Sequence, residues 1–330
     1  MKNKLALFAA IAVSFVGLSY FGQLASAADN WPEGKKITCL VPTAAGGSVD
    51  TMARQLIKYW EPILGTNMVV SNRDGAVMVL GTEIFLNAPK DGSYMYFGTQ
   101  LYISAGIVLK GAKYSMDDFA VINFQQFDPM TVAVLEDSKY KTLQDLIDDA
   151  KARPGEIKVG VMLGGAPHLG LVVMQEKFGV KFKLVTYDSG NGYRTALLGK
   201  HVDFVVSNAN GDRAIKGKAR VLAIADTQRS VVWPDAPTFN EILNITDFPR
   251  LGSARYVAMH KEFKEKYPDR FNKLVETYKK AFDDPEYVKF RETSGEADVS
   301  AFRGPEESDK MNKDLHNLLV QYKDRIEAAE

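Results

Sequence analysis

The chain has 330 residues, with 41 basic and 41 acidic side chains, four histidines and one cysteine. That charge balance leaves no electrostatic footprint for nucleic acid or an anionic membrane. A single cysteine excludes an intramolecular disulfide and any multi-cysteine metal site, and about 300 residues past the N-terminal segment call for two lobes instead of one core.

The N-terminus reads as a secretory signal. Lys2 and Lys4 precede an apolar stretch from Leu5 to Leu24, and Ala25-Ser26-Ala27 offers a small-x-small cleavage site. Cleavage after Ala27 is expected, over retention as a membrane anchor, and places the mature chain in the periplasm. Cys39 lies too far beyond the apolar core for a lipoprotein and falls inside the strand-like run Ile37–Val41.

From there strands, loops and helices alternate. The run Ile37–Val41 is broken at Pro42–Asp50, and apolar residues at helical spacing predict a helix from about Val49 to Leu64. Ser48 or Asp50 is expected to cap it and Gly65 to end it. A strand at Met68–Ser71, a loop at Asn72–Met78 and a helix at Val79–Asn87 follow. Asp91-Gly92 then turns into a strand at Tyr94–Phe97, which stops at Gly98-Thr99-Gln100.

Thr142-Leu143-Gln144-Asp145 has the form of a capping box for a helix at Leu143–Ala152. A strand at Ile157–Val161 leads into Leu163–His168, with a helix onward to Phe178 and Gly179 behind it. A strand at Lys183–Thr186 reaches Tyr187-Asp188-Ser189-Gly190, and a helix at Tyr193–Leu198 follows. Strands at Phe204–Ser207 and Val221–Ala225 flank a helix ending at Gly217. The C-terminal third reads as helical around Lys264–Asp283 and Glu306–Ala329. The alternation predicts an α/β fold with mostly parallel sheets flanked by helices.

In such sheets ligands bind beyond the carboxyl ends of the strands. Those ends carry Gly46-Gly47-Ser48, Gly75-Ala76, Gly98-Thr99, Gly164-Gly165 and Ser189-Gly190. Glycine admits close backbone approach, and helix N-termini offer unpaired N–H groups that favour anions. An anion-binding cleft is expected.

Pro42, Gly46, Gly47, Asp50 and Arg54 form a Pro-x-x-x-Gly-Gly-x-x-Asp pattern after a strand, with an early Arg in the helix. Asn72–Ala76, Pro89–Gly92, Ala166–Leu169, Tyr187–Gly190, Leu197–Asp203 and Pro234–Phe239 follow in order. Together these segments resemble the tripartite tricarboxylate transporter receptor family, the Bug-type solute-binding proteins. The resemblance implies a two-lobed periplasmic binding protein of type II (a Venus flytrap) that the chain crosses twice. With the signal peptide at 1–27, the strand–loop–helix units place one lobe at about 28–125 plus 230–330 and a second at about 126–229.

The resemblance also implies capture of a small carboxylate by backbone amides, small hydroxyls and ordered water, for delivery to the membrane subunits of a tripartite transporter. The expected ligand contacts are Thr43, Ala44, Gly46, Gly47 and Ser48; Gly75, Ala76, Val77 and Met78; Thr99 and Gln100; Gly164, Gly165, Ala166 and Pro167; Tyr187, Asp188 and Ser189; and Asn208 and Arg255. The chain departs from the family at Val77-Met78, Gly164-Gly165, Tyr193-Arg194 and Ala254-Arg255-Tyr256.

Several residues carry two readings. His168 is expected to make a structural bond across its loop and Asp50 to serve its own helix. Asp188 either accepts from the ligand or forms a turn. Arg194 and Arg255 either meet a second carboxylate or pair on the surface. Tyr102, Phe127, Tyr187 and Tyr193 either line the pocket or pack in the core. No HExxH, GxSxG or P-loop pattern supports an enzyme. No metal, cofactor or nucleic acid is expected, and the chain is expected to be a monomer. A receptor for a membrane sensor is the alternative to transport.

Overall fold

Two sets of parallel strands are joined through a pair of long strands that neither the periodicity nor the turn signals predict. The computed structural model describes residues 30–329, so the predicted signal segment and its cleavage site lie outside the described residues. In chain order the strands and α-helices are β1 (Lys36–Val41), α1 (Ser48–Leu64), β2 (Asn67–Asn72), α2 (Val79–Leu86), β3 (Tyr94–Thr99), α3 (Gln100–Lys110), β4 (Phe119–Leu135), α4 (Leu143–Ala152), β5 (Lys158–Val161), α5 (Ala166–Phe178), β6 (Lys183–Thr186), α6 (Gly190–Leu198), β7 (Phe204–Asn208), β8 (Ala219–Ile224), α7 (Phe239–Leu243), β9 (Gly252–His260), α8 (Lys261–Lys266), α9 (Pro268–Phe282), α10 (Pro285–Ser294), α11 (Gly304–Gln321) and α12 (Lys323–Ala329).

The strand order is β2-β1-β3-β9-β4-β7-β5-β6, with β8 also on β4. The expected parallel pairings occur on both flanks, β1 with β2 and β3, and β5 with β6 and β7. Between the flanks the pairing is antiparallel. The first part of β4 pairs with β9, and its last residues pair with β7 and β8, so one strand runs through both sets.

Local sequence accounts for the helix that opens the site. Val49, Met52, Ala53, Leu56, Ile57, Trp60 and Leu64 are buried along one face of α1. Each large apolar side chain so placed contributes roughly 1.5–3 kcal/mol relative to exposure. Gly65 ends the helix at φ 73°, returning its N–H to Glu61 O at 3.0 Å. Trp60 Nε1 donates to Thr277 Oγ1 at 3.0 Å, which fixes α1 against α9.

The middle of β4 is polar yet buried, and its side chains are satisfied by distant residues. Asn123 Nδ2 donates to Tyr278 Oη at 3.0 Å, Tyr278 Oη donates to Gln125 Oε1 at 2.7 Å, and Gln125 Nε2 donates to Tyr287 Oη at 2.6 Å. Leaving such groups unpaired in the core costs about 1–3 kcal/mol each. The helix predicted to end at Gly217 is a 3-10 turn at Gly211–Ile215, and the long C-terminal helix breaks between α11 and α12. Among the described residues no helix is long and apolar enough to cross a membrane.

Candidate ligand-binding cleft

The β1–α1 loop is held from beneath by Asp50. Its buried carboxylate accepts from Gly46 N at 2.8 Å, Arg54 Nε at 3.0 Å and Asn72 Nδ2 at 3.0 Å. Burial pushes this carboxyl up, but the bonds from Arg54, Gly46 and Asn72 outweigh it and hold it below its usual value. Asn72 Nδ2 also donates to Thr43 O at 2.9 Å. Neither Ser48 nor Asp50 caps the helix, contrary to expectation. Gly47 is the N-cap and has no side-chain bond, while Asp50 reaches one residue further back. The first-turn N–H groups of Ser48, Val49 and Asp50 are therefore without a helical partner.

The second loop packs directly on the first. A Cβ on Gly81 would lie 2.6 Å from Pro42 Cβ and 2.7 Å from Pro42 Cα, so only glycine lets α2 approach this closely. The loop before α2 is strained. After Gly75, the non-glycine residues Ala76, Val77 and Met78 have φ of 47°, 54° and 72°. A left-handed β-branched residue is an outlier that persists only where surroundings enforce it, and such strain concentrates at functional sites. Val77 is half exposed there.

At the end of β3, Thr99 is buried and starts α3 without a side-chain cap bond. Gln100 points away from the cleft, with Nε2 donating to Ser104 Oγ and Asn312 O, both at 2.9 Å. Only its backbone N–H is available at the start of α3.

From the other strand set comes the turn before α5. Gly164 has φ 77° and Gly165 is an uncapped N-cap. A Cβ on Gly165 would lie 2.5 Å from Tyr102 Oη, and one on Gly164 would lie 3.8 Å from Ala105 and 3.9 Å from both Tyr102 and Val77. The turn therefore faces the starts of α2 and α3 across a narrow gap. Gly164 N donates to His168 Nδ1 at 3.4 Å, the structural bond expected of that histidine. Ala166 and Pro167 are buried behind the turn.

The remaining expected residues divide. Ser189 caps α6, accepting from Gly192 N at 3.2 Å, while Asp188 is exposed and Tyr187 partly buried. Asn208 is buried between strands, donating to Asp128 O at 2.9 Å and accepting from Ser253 Oγ at 3.1 Å. Arg255 lies opposite Thr99 on β3 and Gln126 on β4, and its Nη1 donates to Gln126 Oε1 at 2.9 Å. Phe127 and Tyr193 are core residues, whereas Tyr102 lies against the Gly165 turn.

Sequence reasoning missed Asp128, which accepts from Asn210 N at 2.7 Å at the point where β4 leaves β9. Burial raises its carboxyl above the usual value, against the pull of Arg255. Two cavities of about 710 and 440 Å³ lie elsewhere, beside Trp233 and Arg220 and beside Phe271 and Asp309. Neither includes a helix start at the cleft. No cluster of acidic, histidine or cysteine side chains among the described residues has the form of a metal site.

The sequence profile described as tripartite tricarboxylate transporter family receptor matches residues 52–315. Protein BugT of Bordetella pertussis is 29% identical over 221 residues, covering 65% of this chain and 68% of BugT. A TctC solute-binding protein from Polaromonas superposes with a TM-score of 0.74 at 23% identity, covering 90% of this chain and 99% of its own. MatC of Rhodopseudomonas palustris, solved with bound malate, gives 0.72 at 18% identity over 88% of this chain and 99% of its own. The fold is thereby the two-lobed α/β architecture of periplasmic binding proteins. With the profile spanning most of the described residues, the chain belongs to the tripartite tricarboxylate transporter receptor family.

Proposed function

We propose that this chain is an extracytoplasmic receptor that captures a small carboxylate between its lobes and delivers it to the membrane subunits of a tripartite tricarboxylate-type transporter. One observation carries the reading. Helices α1, α2, α3 and α5 begin around the same gap, and none of the four has a side-chain cap. Uncapped starts present partial positive charge and unused donors, which suit a carboxylate once closure excludes water.

The grip is formed by the loops Thr43–Ser48, Gly75–Met78 and Gly164–Pro167, with the Ser48 and Thr99 hydroxyls assisting. Asp188 and Ser189 close over the ligand from β6. The lobes are residues 28–125 plus 230–330 and residues 126–229, hinged where β4 passes from β9 to β7 and β8. Removal of residues 1–27 releases a monomer outside the cytoplasm, and the malate bound to MatC makes hydroxy- and dicarboxylates the first ligands to try. A thermal-shift screen of mono-, di- and tricarboxylates and aromatic acids tests this, since a ligand stabilises by RT ln(1 + [L]/Kd). A chain that none of these acids stabilises does not have the proposed function.

A further inference from the structure

The two arginines singled out by the sequence have different fates. Arg194 is buried, with Nε donating to Asp212 at 2.8 Å and Nη2 to Ser207 Oγ at 2.9 Å. Asp212 is itself held by Thr131 Oγ1 at 2.6 Å. Arg194 is thereby held in a direct ion pair with a fully buried acid.

Arg255 is the opposite case. Its only hydrogen bond among the described residues goes to a neutral amide, Gln126 Oε1 at 2.9 Å, and its Nε is buried without a partner. Gln126 in turn donates through Nε2 to Glu296 Oε2 at 3.1 Å, so the amide stands between the guanidinium and the nearest acid on that side. On the other side Asp128 is engaged by Asn210 N at 2.7 Å. Both carboxylates feel the charge of Arg255, yet among the described residues its hydrogen bond goes to Gln126 and to neither acid. Gln126 thus fixes the orientation of the guanidinium and leaves its charge in place.

The location gives this cation a purpose. Arg255 is opposite Thr99, the start of α3, and close enough to Tyr102 to act on its hydroxyl electrostatically. A half-buried guanidinium with unused donors is costly without an anion, and its planar fork matches a carboxylate bidentately. We propose that Arg255 is the specificity-determining residue of the cleft, receiving a second carboxylate of a ligand whose first carboxylate is held at the helix starts. The inference rests on the receptor reading above and narrows the ligand to a dicarboxylate.

Calorimetry with matched acids tests it: succinate against butyrate and adipate against hexanoate, on wild type, Arg255→Gln and Arg255→Lys. Thermal melting first establishes that each variant is folded. Wild type should bind the better-fitting diacid roughly ten- to a hundredfold more tightly than its monoacid, the range expected of one charge-assisted contact. Arg255→Gln should reduce that ratio to about one by weakening the diacid alone. Arg255→Lys, which keeps charge without the fork, should fall between them; if the glutamine variant does not fold, this variant decides. Equal binding of diacid and monoacid by wild type, or an unchanged ratio in the folded variants, overturns the role of Arg255 and leaves the receptor reading intact. Failure of every carboxylate to bind overturns both.

Discussion

Replacing Asp50 by asparagine probes how the first ligand loop is held in place. Both carboxylate oxygens accept, from Gly46 N at 2.8 Å and from Arg54 Nε and Asn72 Nδ2 at 3.0 Å. Asparagine keeps the shape but turns one oxygen into an NH₂ group, which meets a donor in either orientation. Breaking a buried ion pair costs about 3–5 kcal/mol. The Arg54 side chain is 51% exposed, so water relieves part of that loss, and about 2–3 kcal/mol is expected.

With a urea m-value of about 3 kcal/mol/M, the denaturation midpoint should fall by roughly 0.7–1 M at pH 7. The acid arm follows from linkage. The Asp50 carboxyl is held below its usual value in the fold, so its contribution is complete above the unfolded value near 3.8 and lost as pH falls through the folded value. The gap between wild type and variant should therefore close in acid. A variant within about 0.5 kcal/mol of wild type at pH 7, or a gap that persists unchanged well below pH 3.8, refutes this account of the loop.

Other expectations concern the same region. Gly47→Val leaves φ −70° accessible and places its Cβ 3.3 Å from Ala44 O and 3.7 Å from Thr43 Oγ1, so folding should lose less than about 1 kcal/mol while ligand affinity drops at least tenfold by calorimetry. Gly81→Ala drives a methyl into the Pro42 backbone and should cost about 1–3 kcal/mol by chemical denaturation. His260 is fully buried with Nε2 2.7 Å from Phe85 O, and burial lowers its pKa against that bond. Its contribution is present above the unfolded value near 6.5 and lost as pH falls through the folded one, so an NMR titration showing protonation at or above pH 6.5 contradicts the assignment.

Much of the periphery was legible because it is local. The capping box at Thr142 and Asp145 forms as read, α4 spans the expected residues, and α1 and α5 end at the expected glycines. The centre was not legible, for physical reasons. Helix α3 is buried from Gln100 to Gly106 and has no polar face to reveal a period. In β4, Asn123, Gln125, Gln126 and Asp128 break any strand pattern, and their partners lie more than 80 residues away. The glycine loops of the site were visible, but the side-chain direction of Gln100 was not. Its amide is drawn inward by Asn312, which only the tertiary fold brings near. Nor did spacing distinguish Arg194 from Arg255, since Asp212 and Gln126 decide that difference.

The most direct test of the central claim is a crystal structure of the mature chain with the diacid that stabilises it most. The account places one ligand carboxylate within hydrogen-bond distance, about 2.7–3.2 Å, of backbone N–H groups at the starts of α1 and α5, against the Thr43–Ser48 and Gly164–Pro167 loops. Density for the ligand in the cavity beside Trp233 and Arg220, with those helix starts facing only water, would contradict it.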